Sequence, residues 1–515
     1  MRRAGTAAVL VAAALLVAGC SADPDVRPNA AQATTRGADD PSRVSRAHVR
    51  TGPLARFYDQ RLQWSACHGG FQCSRLEVPL DYARAGGRTI ELSVVRRPRS
   101  GDGDRRSLVL NPGGPGGSGV DYALAADSVV SSAVRSRFDV VGFDPRGVRR
   151  SAAVSCLTDA QIDRFNSIDG SPDSLTEAQA VQRVWSGLGR GCVARRPAVT
   201  AHVSTIEAVR DLDVLRAALG DRRLSYLGKS YGTYLGLSYA QRFPKRVGHL
   251  VLDGQLDPAA DGPALAAGQV TGFQRALESF LRNCVSRSSC PLDGDAAAAG
   301  DQLARLVGRT DAKPLRGEDG RRATQALVVY GIAAALYDEG SWPLLRQAVG
   351  EMRRGNGATL LALADYYNDR GPNGHYTTNS LEAFYAISCL DRPETRTLEE
   401  QGAEADRLDA VSPVFGSFIG WGNLPCLDWP VPARPNLEAM PATGAVPILV
   451  VGTTRDPATP YEWSRKVARQ LDRGRLLTYV GDGHTAYRRG SSCIDRAVDR
   501  YLVAGRLPAA GTRCT

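Results

Sequence analysis

The run Leu224-Ser225-Tyr226-Leu227-Gly228-Lys229-Ser230-Tyr231-Gly232-Thr233 constrains the fold of this chain more than any other segment. A β-type stretch leads into Gly-x-Ser-x-Gly, followed by a small-residue helix predicted over 234–242. Glycines two residues before and after a serine are needed where a strand turns sharply into a helix, because side chains there would clash. The serine then lies at a helix N-terminus, whose unpaired N–H groups favour negative charge. Ser230 is therefore the candidate nucleophile. The chain has 54 glycines, so the short motif also arises by chance; its frame of strand and helix carries the argument.

Such a turn needs a sheet behind it, and the sequence supplies one. Strands are predicted at 89–95, 107–110, 138–143, 224–227, 249–252, 447–451 and 476–480. Several are unbroken apolar runs ending in Gly, Asp or Asn, as strands buried on both faces should be. Between two of them, 205–219 places Ile206, Val209, Leu212, Leu215 and Leu219 on one helical face, and Gly220 ends that helix. The class is α/β, a mostly parallel sheet flanked by helices. The alternation fails over 258–440, which reads as amphipathic helices (270–281, 298–307, 323–337, 342–353) broken by Gly/Pro/Asn loops. The expected organisation is a core from 53–257 and 441–515, split by a helical cap at 258–440.

A serine nucleophile needs a base, and where it sits on such a turn the chain order is serine, acid, histidine. Only His249, His375 and His484 follow Ser230. His249 opens a buried strand and His375 falls in a cap loop. His484 lies in Gly481-Asp482-Gly483-His484-Thr485, directly after the last long strand, where the base belongs. The acid should follow the preceding strand, which gives Asp456; Asp482 is too close along the chain to grip the same ring. Asp456 would fix the His484 tautomer and stabilise the imidazolium. Near the start, Asn111-Pro112-Gly113-Gly114-Pro115-Gly116-Gly117-Ser118-Gly119 follows a strand. It has neither P-loop nor dinucleotide-binding spacing, and it fits an oxyanion loop. N–H groups of Gly114 (or Gly113) and Tyr231 would then meet the developing oxyanion, each worth about 3–4 kcal/mol. No cofactor or metal is implied: there is no CxxC, and the six histidines are dispersed.

The N-terminus reads as a leader. Met1-Arg2-Arg3 precedes an apolar run, 4–19, too short for the roughly 20 residues that span a bilayer. It ends Leu16-Val17-Ala18-Gly19-Cys20, a lipobox pattern in which Cys20 becomes the acylated mature N-terminus. Residues 1–20 are thus a lipoprotein signal peptide, and 21–52 an unstructured tether. Ten further cysteines, an even set, suggest disulfides and an exported chain. Cys67/Cys73 and Cys284/Cys290 are spaced to close small loops; sequential pairing would give five bridges, with connectivity open. The net charge of +10 comes from scattered arginines without a dense basic block, which argues against nucleic acid as a partner. Oligomeric state is not legible.

Several segments carry a resemblance. The loop 111–119, Phe138-Asp139-Val140-Val141-Gly142-Phe143-Asp144-Pro145-Arg146-Gly147, Gly-Lys-Ser-Tyr-Gly-Thr, Val251-Leu252-Asp253-Gly254 and Asp456-Pro-x-Thr459-Pro resemble the secreted tripeptidyl aminopeptidases of actinobacteria. These are α/β-hydrolases of the proline-iminopeptidase-like group of serine peptidases, which includes mycobacterial cell-envelope proteases and esterases. The likeness runs from about residue 60 to the end, through Cys389, Cys426, Cys493 and Cys514. It implies Ser230, Asp456 and His484 as the triad, with Thr459 supporting Asp456. Arg149 departs from the small residue usual there. The resemblance implies a serine exopeptidase acting on the N-termini of peptides or proteins and releasing short peptides, tripeptides above all, to which the lipobox adds a membrane tether. An esterase on the same triad and an inactive binding protein are the rivals. A free ammonium needs a carboxylate, and the cap offers Glu382 and Asp391 first, then Asp365 and Asp369.

Overall fold

The computed structural model describes residues 52–102 and 106–515. The expected leader, Cys20 and nearly all of the expected tether lie outside these residues. No helix among the described residues is long and apolar enough to cross a membrane.

Ten strands form one sheet: β1 (Ser65–Cys67), β2 (Phe71–Pro79), β3 (Thr89–Arg97), β4 (Ser107–Asn111), β5 (Asp139–Phe143), β6 (Leu224–Lys229), β7 (Val247–Asp253), and, after a two-residue pair β8 (Leu315–Arg316) and β9 (Arg322–Ala323) that stands apart, β10 (Ile448–Arg455), β11 (Gly474–Asp482) and β12 (Arg513–Cys514). Their order is β1-β2-β3-β5-β4-β6-β7-β10-β11-β12. β1, β2, β3 and β5 pair antiparallel, and every pairing from β5 to β12 is parallel. This is the α/β-hydrolase arrangement. All seven predicted strands are present. β4 and β5 are buried at every position, which matches their unbroken apolar sequence.

Register decides where the strands end. Asn111 pairs with Gly228, Lys229 with Asp253, and Val451 with Asp253. The C-terminal ends of β4, β6 and β7 therefore line up along one edge, where open α/β sheets bind ligands, and β10 runs on past them to Arg455. The helix Thr205–Ala218 buries Val209, Leu212 and Leu215 as expected, and Gly220 follows it at φ +83°.

Between β7 and β10 the chain is helical apart from β8 and β9. Its packing is divided. Helices Gly262–Val285, Ala296–Ala312, Gln325–Leu336, Trp342–Arg353 and Ala358–Tyr367 share one apolar cluster. Helix Ser380–Asp391 and the turn Leu424–Cys426 instead pack into the cluster beneath the sheet, with Val181, Trp185 and Leu188 of helix Leu175–Arg195. Residues 159–195, which precede Ser230, thus contribute to the helical layer. Five disulfides pair the ten cysteines in sequential order: Cys67–Cys73, Cys156–Cys192, Cys284–Cys290, Cys389–Cys426 and Cys493–Cys514.

Candidate active site

Ser230 occupies the turn between β6 and the helix Tyr231–Arg242 at φ +54°, ψ −127°. L-residues rarely adopt that backbone, and the surroundings must hold it there. The flanking glycines let them. A Cβ at Gly232 would lie 2.7 Å from Asn111 Oδ1, and one at Gly228 would run into the Gly232 carbonyl. Ser230 N–H donates to Asp253 O at 3.0 Å, and Thr233 N–H to Ser230 O at 2.8 Å. The half-buried hydroxyl-bearing side chain is fixed at the sheet edge with the helix amides beneath it.

The loop after β4 closes on this turn. Asn111 Oδ1 accepts from Gly113 N–H at 3.0 Å, and Gly117 N–H donates to Gly113 O at 3.0 Å. Gly113 and Gly114 have φ +100° and +110°. A Cβ at Gly113 would stand 2.8 Å from Ser230 Cβ and 3.0 Å from Tyr231 N, so only glycine lets the loop pass so near the serine. The Tyr231 ring turns away into the core, its hydroxyl bonded to Thr205 Oγ1, which leaves its backbone at the helix start beside Gly113.

At the ends of β10 and β11 stand Asp456 and His484. His484 Nδ1 lies 2.9 and 3.1 Å from the two Asp456 oxygens, with Thr459 Oγ1 at 3.4 Å. Asp456 also accepts from the amides of Ala458, Thr459 and Thr485 at 2.9–3.0 Å, and its side chain is fully buried. Thr485 has φ +65°, unusual for a β-branched residue, and its strained amide is one of those donors. A Cβ at Gly254 would meet Thr459 Oγ1 and, at 3.5 Å, His484 Cε1. Since Ser230 N–H is bonded to the preceding carbonyl, Asp253 O, the serine turn and the histidine ring share the end of β7.

Two supports escaped sequence reading. Buried Asp253 accepts from the amides of Ala486 and Tyr487 at 2.9 Å each, and Lys229 Nζ reaches Tyr487 O at 2.7 Å and Asp253 at 3.7 Å. Burial raises the Asp253 pKa and lowers that of Lys229. The residue beside the serine thereby ties β6 to the loop that carries His484. The second support is Tyr337, at the end of helix Gln325–Leu336. Its carbonyl accepts from His484 N–H at 3.0 Å and Arg489 Nη2 at 2.7 Å, and its ring meets the imidazole edge-on at 5.1 Å. The Val-Leu-Asp-Gly run signalled the first; nothing local signals the second, because its partner is 147 positions away.

The expected ammonium holders both bond within the protein. Asp391 accepts from Thr205 N–H and Thr205 Oγ1, one on each oxygen, and is buried. It serves the start of helix Thr205–Ala218. Glu382 Oε1 accepts from the amides of Cys156 and Leu157 at 2.6 and 2.8 Å, also buried. Both carboxylates are engaged in holding loops together. Asp365 forms a two-pronged pair with Arg321. Arg149, at φ +46°, donates from its amide to Asn379 Oδ1 at 2.8 Å and pairs with Asp121 at 3.3 Å, linking the helix after the glycine loop to the segment before Ser380. Among the described residues, Asp81, His202 and Glu207 are close enough to hold a metal, but Arg146 and Arg434 stand 3.9 and 3.4 Å from Glu207 and oppose a cation.

Residues 412–514 match the family model described as TAP-like protein. The chain is 39% identical to serine protease Hip1 of Mycobacterium tuberculosis, over 88% of this chain and 91% of that protein. It is 38% identical to carboxylesterase B of the same species, over 86% of each. With tripeptidyl aminopeptidase of Streptomyces lividans it shares 30%, over 99% of this chain and 96% of the other. The chain is therefore a serine hydrolase of the tripeptidyl-aminopeptidase-like family of α/β-hydrolases.

Proposed function

We propose that this chain is an exported serine exopeptidase that removes short peptides, tripeptides above all, from free N-termini. The observation that carries the reading is the convergence of Ser230, the Asp456–His484 pair and the glycine loop at neighbouring strand ends. Ser230 Oγ attacks the scissile carbonyl while His484 Nε2 takes its proton; Nδ1, held by Asp456, fixes that tautomer. The oxyanion takes N–H donors from Tyr231 and from the glycine loop. Gly113 N–H is already given to Asn111, so Gly114 is the donor there. His484 then protonates the leaving amine, and water, deprotonated by His484, releases the acyl group from Ser230. Two relatives are named for peptide cleavage and one for ester cleavage, so the amide reading is tested against the ester one.

A free-amine tripeptide anilide, its N-acetylated twin and a short-chain nitrophenyl ester separate the readings. The expected result is rapid cleavage of the free-amine substrate and slow cleavage of the blocked one, all abolished by Ser230→Ala. Hydrolysis of the ester alone overturns the peptidase reading in favour of an esterase. No hydrolysis of any of the three leaves a binding protein.

Export agrees with the five disulfides and with the leader. Acylation at Cys20 would add a membrane anchor, which Cys20→Ser removes; recovery of that variant with the membrane fraction argues against the anchor.

A further inference from the structure

With Glu382 and Asp391 committed elsewhere, an exopeptidase still needs a carboxylate for the substrate's terminal ammonium. Three carboxylates of the neighbouring segments are already paired: Asp159 with His375, Asp163 with Arg370, Asp365 with Arg321. Asp369 differs. It is half-buried at φ +57°, and one oxygen, Oδ2, accepts from Thr378 Oγ1 at 2.6 Å and Ser380 Oγ at 2.8 Å. Among the described residues it has no ion-pair partner.

Asp369 is also tied to both sides of the reaction centre. Through Ser380 it reaches the first turn of helix Ser380–Asp391, which abuts the glycine loop: a Cβ at Gly116 would stand 2.6 Å from Ser380 O and 3.2 Å from Phe384 N. Two residues before it, the Tyr367 hydroxyl lies 3.5 Å from that of Tyr337, whose ring meets His484. Tyr367 is 40% exposed, yet burial raises its pKa. Phe384, 38% exposed beside the glycine loop, is an apolar neighbour.

We propose that Asp369 binds the α-ammonium of the substrate's N-terminal residue, a deepening that rests on the exopeptidase reading above. Thr378 and Ser380 hold one oxygen in place, and Oδ1 faces the ammonium. Charge-assisted hydrogen bonding of this kind changes affinity by about ten- to a hundredfold.

The measured quantity is the ratio of kcat/KM for a free-amine tripeptide anilide to that for its N-acetylated twin. In Asp369→Asn and in Asp369→Ser, which retains a hydroxyl for Thr378 and Ser380, the ratio falls about ten- to a hundredfold. A high ratio that both folded variants keep overturns the proposal and leaves the exopeptidase reading intact. A ratio near one in the unaltered protein overturns that reading itself, and this proposal with it. If neither variant unfolds cooperatively, Asp369 is a structural carboxylate and the proposal also falls.

Discussion

Asp391 shows what a single buried carboxyl does to this molecule. Burial raises its pKa to about 6, against the two hydrogen bonds from Thr205 that lower it. A carboxyl with a raised folded value binds its proton more tightly when folded. Its contribution to stability is full below the unfolded value, near pH 4, and is lost as the pH rises through about 6. A difference of about two units corresponds to about 3 kcal/mol. Asn at 391 keeps an acceptor for Thr205 N–H and offers an amide to Thr205 Oγ1. Asp391→Asn should therefore gain on the unaltered protein by about 2 kcal/mol between pH 4.5 and pH 7.5, the rest of the difference falling below pH 4.5; urea unfolding at the two values measures it, and parallel pH dependences would contradict it. Gly113 gives a second residue-scale test. Its Cβ would lie 2.5 Å from Lys229 O, a backbone atom that cannot yield cheaply. Gly113→Ala should lower kcat about a hundredfold or more by displacing the oxyanion loop, with a near-normal unfolding midpoint; retained kcat would show that the loop is not part of the machinery.

At the scale of elements, the central strands were legible because burial on both faces writes an apolar run that a local window detects. Ser230, Asp456 and His484 could be singled out as candidates for a related reason, since each follows such a run and chain order does the rest. The β1–β2 hairpin was not. Its burial alternates around exposed Arg75 and Glu77, so it lacks the unbroken signal of its parallel neighbours. Helix Thr205–Ala218 was found by its apolar face, yet it also buries Asp211 and Asp213, which periodicity assigns to solvent. Asp211 grips Arg146 with two bonds of 2.7 Å, and Arg146 donates its remaining N–H groups to Pro79, Leu80 and His202 carbonyls. That pair holds the loop after β5 against the helix. The partners of the carboxylates in the helical layer were hidden for the same reason: Glu382 bonds a residue 226 positions away and Asp163 one 207 away. Asp211→Asn should destabilise by about 3–5 kcal/mol, because a fully buried guanidinium loses its two-pronged counter-charge and keeps only Glu207 at 3.9 Å, whereas Arg146→Met with Asp211→Leu should recover much of the loss. Equal destabilisation by the single and double variants would refute this account.

Over the whole molecule, the helical layer is tied together, and to the loop after β5, by covalent bonds as well as by packing. Cys156–Cys192 spans 36 positions and Cys389–Cys426 spans 37, whereas Cys67–Cys73 and Cys284–Cys290 each span 6. The two long bridges flank one contact. Helix Leu175–Arg195 carries Cys192, and it packs on the turn Leu424–Cys426 that carries Cys426. The Cys156 amide also donates to Glu382 in the helix that carries Cys389. Loop-closure entropy grows with the logarithm of the span, giving about 4 kcal/mol for each long bridge and about 2 kcal/mol for each short one. Because helix Ser380–Asp391 bears on the glycine loop through Ser380 and Phe384, loosening this contact should affect activity as well as stability. The Cys389→Ala/Cys426→Ala double variant should therefore lose about twice the unfolding free energy of Cys67→Ala/Cys73→Ala and, unlike it, lose ester and peptide hydrolysis at temperatures where both remain folded. Urea unfolding with parallel rate measurements decides it. Equal losses of stability would show that the long loops are already restrained by packing in the unfolded chain, and undiminished hydrolysis would show that the glycine loop keeps its shape without the helix behind it.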